Sequence, residues 1–179
     1  MTFAHAARLS AIALAALALS ACATMSVRSF QERGSNLTQY RTFDWVPANQ
    51  RETGDPRLDN NRFFHERIQT DIEKQLVSRG FEQDAEGTPD LLVHYHASVT
   101  QKINPNGADR PNARAQGAEP FVFDAGSVVI DLVDFRTGRL VWRGWADNTM
   151  DGAIDSQDWM EKTVDEAVAR ILAQLPPRL

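Results

Sequence analysis

A chain of 179 residues, 42% hydrophobic and 24% charged, has the size and make-up of one folded domain, which excludes collagen-like and low-complexity chains. Its formal charge of −5 argues against a nucleic-acid binder, which needs a broad basic face. The one cysteine rules out an internal disulfide and a cysteine-based zinc cluster.

The first segment carries His5 and Arg8 and no acid, followed by an apolar run from Leu9 to Leu19. That run is shorter than the roughly 20 residues a bilayer span needs. A cationic start, a short apolar stretch and small residues at its end read as a secretory signal. The end, Leu19-Ser20-Ala21-Cys22, resembles the bacterial lipobox. The resemblance implies that a signal peptidase recognises Leu19, Ser20 and Ala21 and removes residues 1–21. It also implies a diacylglycerol group on the Cys22 thiol and an acyl chain such as palmitate on the new amino terminus. The competing reading is an uncleaved anchor with a buried cysteine. Several acyl chains on one residue hold a protein firmly to a bilayer, whereas one chain is marginal. Ala23 follows the cysteine where enteric inner-membrane lipoproteins carry Asp, so the expected address is the outer membrane, facing the periplasm.

Residues 22–38 read as a tether with a candidate strand at Met25–Gln31, and Arg33-Gly34-Ser35-Asn36 as a turn. Tyr40–Val46 alternates, with Phe43 and Trp45 on one face, and predicts a strand. Pro47, Gly54 and Pro56 mark residues 47–60 as a loop. Asp59 or Asn60 then caps a helix whose stripe is Phe64, Ile68, Ile72 and Leu76. Arg79 and Gly80 end it, and Phe81 folds back on the stripe. Leu91–Val99 is the next strand, and residues 101–120, rich in Pro, Gly and Asn, a long loop. Phe121–Phe123 is a short apolar entry to a strand over Gly126–Asp134. The turn at Phe135–Gly138 makes Leu140–Ala146 its hairpin partner. Asp155 or Ser156 caps a last helix with Trp159, Val164, Ala167, Val168, Ile171 and Leu175 as its stripe, stopped by Pro176-Pro177.

Two amphipathic helices and one sheet predict an α+β two-layer sandwich. Residues 39–179 form the single domain, with a mixed, mostly antiparallel sheet of four to five strands and both helices on one face. Strand parity sends Leu91, Val93, Tyr95, Val128, Ile130, Leu132, Leu140 and Trp142 inward. It sends Leu92, His94, His96, Val129, Asp131, Val133, Val141, Arg143 and Trp145 outward.

The chain resembles the bacterial lipoproteins of the domain-of-unknown-function 4136 family. The pieces that carry the resemblance are Tyr40-Arg41-Thr42-Phe43-Asp44-Trp45, Leu76–Phe81, Pro89–Tyr95, Gly126–Asp134 and Leu140–Ala146. The chain also ends in a helix running into Pro176-Pro177, as the family does, and the resemblance covers about residues 25–177. The resemblance implies a lipid anchor and an envelope location, and it brings no activity and no catalytic residue. The polar 101–120 segment matches no family motif.

No catalytic set emerges from the residues. Gly-x-Ser-x-Gly is absent, Ser127 lies inside a strand, and Asp131 and Asp134 differ in parity and face opposite sides. His65 is expected on the surface of the first helix. His94 and His96, two apart on a strand, share a face, and Asp131 from another strand could add a third ligand, although no further His or Cys completes a set. The plainer reading is two histidines on a solvated sheet face. The expectation is therefore a non-enzymatic envelope module without cofactor or metal, bound to the lipid bilayer through acylated Cys22. Its face of His94, His96, Val129, Asp131, Arg143 and Trp145 meets an envelope protein partner. The alternatives are a periplasmic ligand- or metal-binding protein using His94 and His96, and an envelope hydrolase.

Overall fold

A computed structural model describes residues 25–47, 53–84, 86–104, 121–149 and 157–176. Cys22 with its lipobox, the caps expected at Asp155 or Ser156, and most of the 101–120 segment lie outside the described residues, as does the Trp159 side chain.

The stripe at every fourth residue does what its spacing demands. In the helix Arg62–Ser78 (α2), Phe64, Ile68, Ile72 and Leu76 are all buried. Its cap is Asn61, one residue beyond the expected position, and its side chain accepts a 3.0 Å hydrogen bond from the Phe64 amide. The helix closes through Gly80, whose φ of 82° is left-handed. The Gly80 amide donates to the Val77 carbonyl and the Phe81 amide to the Leu76 carbonyl, while Phe81 is buried against the core.

A second helix lies inside the segment expected as a loop. Pro56–Asp59 (α1) is one turn with Asp55 as its cap and Pro56 at its start. The third is Gln157–Leu172 (α3), which buries Met160, Val164, Ala167, Val168, Ile171 and Leu172. Leu37–Gln39 adds a short 3-10 turn.

The strands are Ser26–Gln31 (β1), Thr42–Trp45 (β2), Glu82–Gln83 (β3), Leu91–Asn104 (β4), Phe121–Asp134 (β5) and Leu140–Thr149 (β6). They form one open, mixed sheet in the order β1-β6-β5-β4-β2-β3. β1, β6, β5 and β4 pair antiparallel, whereas β2 runs parallel to both β4 and β3. Among the described residues the architecture is thus α+β, with six strands and three helices rather than four to five and two. The added strand β3 has two residues, and β4 and β5 stay paired through Asn104 and Phe121, past the expected start of the loop.

One sheet face carries the core. Leu91, Val93, Tyr95, Ala97 and Val99 of β4, Ile130 and Leu132 of β5, and Trp142 and Ala146 of β6 are buried together with the stripes of α2 and α3. Gly144 lets α3 approach closely, since a Cβ there would meet Ile171 Cγ2 at 2.6 Å and the Trp142 ring closer still. The parity expected for β6 fails at one point. The register steps from Leu132↔Trp142 to Val133↔Leu140, so Val141 is an extra residue in a bulge. Val141 is buried and Leu140 only partly so, the reverse of the expected order.

Candidate functional site on the outer sheet face

Strand pairing places His94, Asp131, Arg143 and Phe30 side by side across β4, β5, β6 and β1. The next row of the same face reads His96, Val129, Trp145 and Arg28. Gly144 faces α3, so its neighbours Arg143 and Trp145 point the other way. The six residues expected on one outward face are therefore brought together. Asp131 is buried, Phe30 is exposed, and His94, His96, Val129, Arg143 and Trp145 lie between. No described helix packs on this face.

Arg143 grips Asp131 with Nε on one carboxylate oxygen and Nη2 on the other, both at 2.6 Å. The carboxylate raises the guanidinium's pKa above its ordinary value. His96 Nε2 stands 3.9 Å from the same carboxylate. The His94 and His96 rings meet edge to face with centroids 4.2 Å apart, closer than the roughly 7 Å between alternate positions of a strand, because the side chains lean together. Burial lowers the His96 pKa, the charges of His94 and Arg143 add to that, and Asp131 opposes it. One ligand atom each from His94, His96 and Asp131 lie within 4.8 Å of one another.

Among the described residues the face shows no nucleophile on a strained turn, and its second carboxylate, the exposed Asp147 on β6, lies opposite Ser127. Ser127 shares a 2.9 Å hydrogen bond with Ser98 across β4 and β5. Asp134 accepts from the Tyr40 hydroxyl at 2.9 Å and from the Arg136 and Thr137 amides of the hairpin turn.

His65 corrects an expectation. It is partly buried, not a free surface residue: Nδ1 is hydrogen-bonded to the Tyr95 hydroxyl and Nε2 lies 3.1 Å from the Asp59 carbonyl. Sequence reading also missed a charged seam between the helices, where Arg67 of α2 meets Asp165 and Glu161 of α3 as well as Asp71 on its own helix. The i, i+4 spacing of Arg67 and Asp71 is visible in the sequence, but the partner helix is not. Among the described residues, no helix is long and apolar enough to cross a membrane.

The chain matches the family described as Domain of unknown function (DUF4136) over residues 27–177. No curated protein matches it. Among solved structures, a PDZ domain protein from Parabacteroides distasonis ATCC 8503 is similar with a TM-score of 0.56 and 18% identity over 85% of this chain. The chain spans 36% of that protein's length. The PelC dodecamer from Paraburkholderia phytofirmans is similar with a TM-score of 0.51 and 13% identity, over 87% of this chain and 100% of that one. A PelC variant in a second crystal form gives a TM-score of 0.50, 12% identity and the same coverage. At these identities the likeness is one of fold.

Proposed function

The chain belongs to the DUF4136 family, and from that premise we propose that it is a lipid-anchored, non-enzymatic module of the bacterial cell envelope that assembles with further copies of itself. The anchor is Cys22, the last residue of Leu19-Ser20-Ala21-Cys22, which would hold the domain to the outer membrane on its periplasmic side.

The observation that carries the assembly reading is the outer sheet face. Both long helices bury their stripes on the other face. Phe30, Trp145, Val129, Val133 and Leu92 give this one an apolar content above that of an ordinary solvated antiparallel sheet. Trp and Arg are the residue types that anchor interfaces. The occupant we assign is a second copy of this chain. The whole length of a PelC chain shares this fold, and PelC is a dodecamer.

The test is the native mass of the full chain in detergent. The wild type should exceed the mass of one chain, and Val129→Glu with Trp145→Glu should reduce it to one chain while the thermal midpoint holds. A wild type that is a single chain, or a folded double variant that stays assembled, overturns the reading.

A further inference from the structure

We propose that His94, His96 and Asp131 form a site for a divalent transition-metal ion of the zinc type. The inference goes beyond the assembly reading and stands without it.

Three features of the geometry point to it. First, the donors converge from two neighbouring strands. His94 and His96 share a face of β4, and Asp131 sits directly opposite His94 on β5. Their ligand atoms lie within 4.8 Å of one another. A tetrahedral ion with bonds of about 2.0–2.1 Å needs donors roughly 3.3 Å apart, so the side chains must draw together for the ion to bind. Second, the two rings already lean on each other, with centroids 4.2 Å apart, so the imidazoles are gathered before an ion arrives. Third, the carboxylate is fixed. Arg143 holds both of its oxygens at 2.6 Å, each carboxylate oxygen has a second lone pair for a further partner, and Oδ2 stands 3.9 Å from His96 Nε2. A buried, oriented carboxylate beside ligating histidines is how outer partners position a metal ligand.

The donor set selects the ion. Two imidazoles and one carboxylate suit zinc, copper, nickel and ferrous iron, whereas calcium and magnesium prefer oxygen-only shells. Three protein ligands leave at least one position for water or an exogenous ligand. The positive charge of Arg143 opposes the incoming ion, and this places the site among exchangeable sites rather than structural ones. The same residues contribute little apolar burial, so the site can be removed without opening the core.

The experiment is calorimetric titration of the untagged full chain in detergent with Zn2+, paired with Co2+, whose visible absorption reports the ligand field. One Zn2+ per chain and a Co2+ spectrum of low coordination number are expected. His94→Gln and His96→Gln should each weaken binding at least about tenfold, and the double variant should abolish the Co2+ band with an unchanged circular dichroism spectrum. Absence of saturable Zn2+ binding by the wild type overturns the site. So does binding of equal strength in the folded double-histidine variant, which would place the ion elsewhere. Native mass is recorded on the same samples, so a negative metal titration and a monomeric wild type are separate results.

Discussion

Arg143 and Asp131 lie directly opposite each other on neighbouring strands, and the guanidinium meets both carboxylate oxygens at 2.6 Å while the Asp131 side chain keeps only 6% of its surface in water. The pair is asymmetric, because the Arg143 side chain is 43% exposed. Removing the arginine therefore leaves a buried carboxylate without its partner, whereas removing the acid frees a cation that water can reach. Arg143→Ala should lower stability by about 1–3 kcal/mol, discounted for solvent screening of the exposed partner. Arg143→Lys should recover part of the loss, since an ammonium cannot serve both oxygens in the fork geometry. Urea midpoints of the two variants check this. Equal midpoints for Arg143→Ala and the wild type would mean that the pair adds nothing.

Asp71 is the group whose ionisation should shape stability near neutrality. Burial pushes its pKa up from 3.8 to about 7, helped by a hydrogen bond to Asp165 and that residue's charge and opposed by Arg67. A carboxyl raised in the folded state binds its proton there and loses it in the unfolded chain. Its contribution is complete below the unfolded value and fades as pH rises toward the folded one. Stability should therefore fall between about pH 4 and pH 7 from this group, and Asp71→Asn should flatten that slope and gain about 1–2 kcal/mol over the wild type at about pH 8. Asp55 acts in the opposite sense. A hydrogen bond from Arg57 holds its carboxyl well below the usual range, with the Val99 amide adding to it against the cost of burial. Its contribution is present above the unfolded pKa and is lost as pH falls through the folded one. Denaturation curves across the pH range separate the two.

Gly144 and Trp142 should prove coupled. Gly144→Ala drives a methyl into the Trp142 ring and Ile171 and should cost about 1–3 kcal/mol. Trp142→Ala should cost about 3–5 kcal/mol through lost burial and a cavity. In the double variant the added methyl enters the space the indole leaves, so the combined loss should fall short of the sum. Additive losses in thermal or chemical denaturation would contradict the packing described here.

Cys22→Ala should abolish incorporation of labelled fatty acid and release the protein from the membrane fraction or leave it with residues 1–21 attached. Acyl labelling that survives the substitution would refute the lipid anchor.

Period-two parity alone identified the outward row of His94, His96, Asp131, Arg143 and Trp145, and the four-residue spacing alone identified the stripe of α2. Both signals work because a buried face imposes a repeat on the chain. The inserted residue Val141 carries no such repeat, since a bulge is a fault in the pattern and depends on what the partner strand does. β3 has only Glu82 and Gln83, both exposed, so no buried face marks it in the sequence. α1 did leave a trace, because Asp55 followed by Pro56 is a cap and a first-turn proline, but one turn is too short for periodicity. The lean of the two histidine rings and the grip of Arg143 on Asp131 are rotamer choices made by neighbours on other strands, which no local pattern encodes.

Beyond Val93, β4 would present bare amides and carbonyls on the side that β2 no longer covers. The Thr53 carbonyl takes the Ala97 amide, the Asp55 carboxylate takes the Val99 amide at 2.9 Å, and Arg57 donates to the Val99 carbonyl. That flank is plugged by the 53–57 segment, and β3 at its end is two residues long, while β1 at the opposite end is six residues long and, among the described residues, paired on one side only. Among the described residues, β1 is therefore the longer of the two sheet edges. Pairing of β1 with β1 from a second copy is isologous, uses up both edges and stops at two chains. In a head-to-tail ring each contact joins unlike surfaces, so an outer face used in such a ring would rest on a different patch of the next copy.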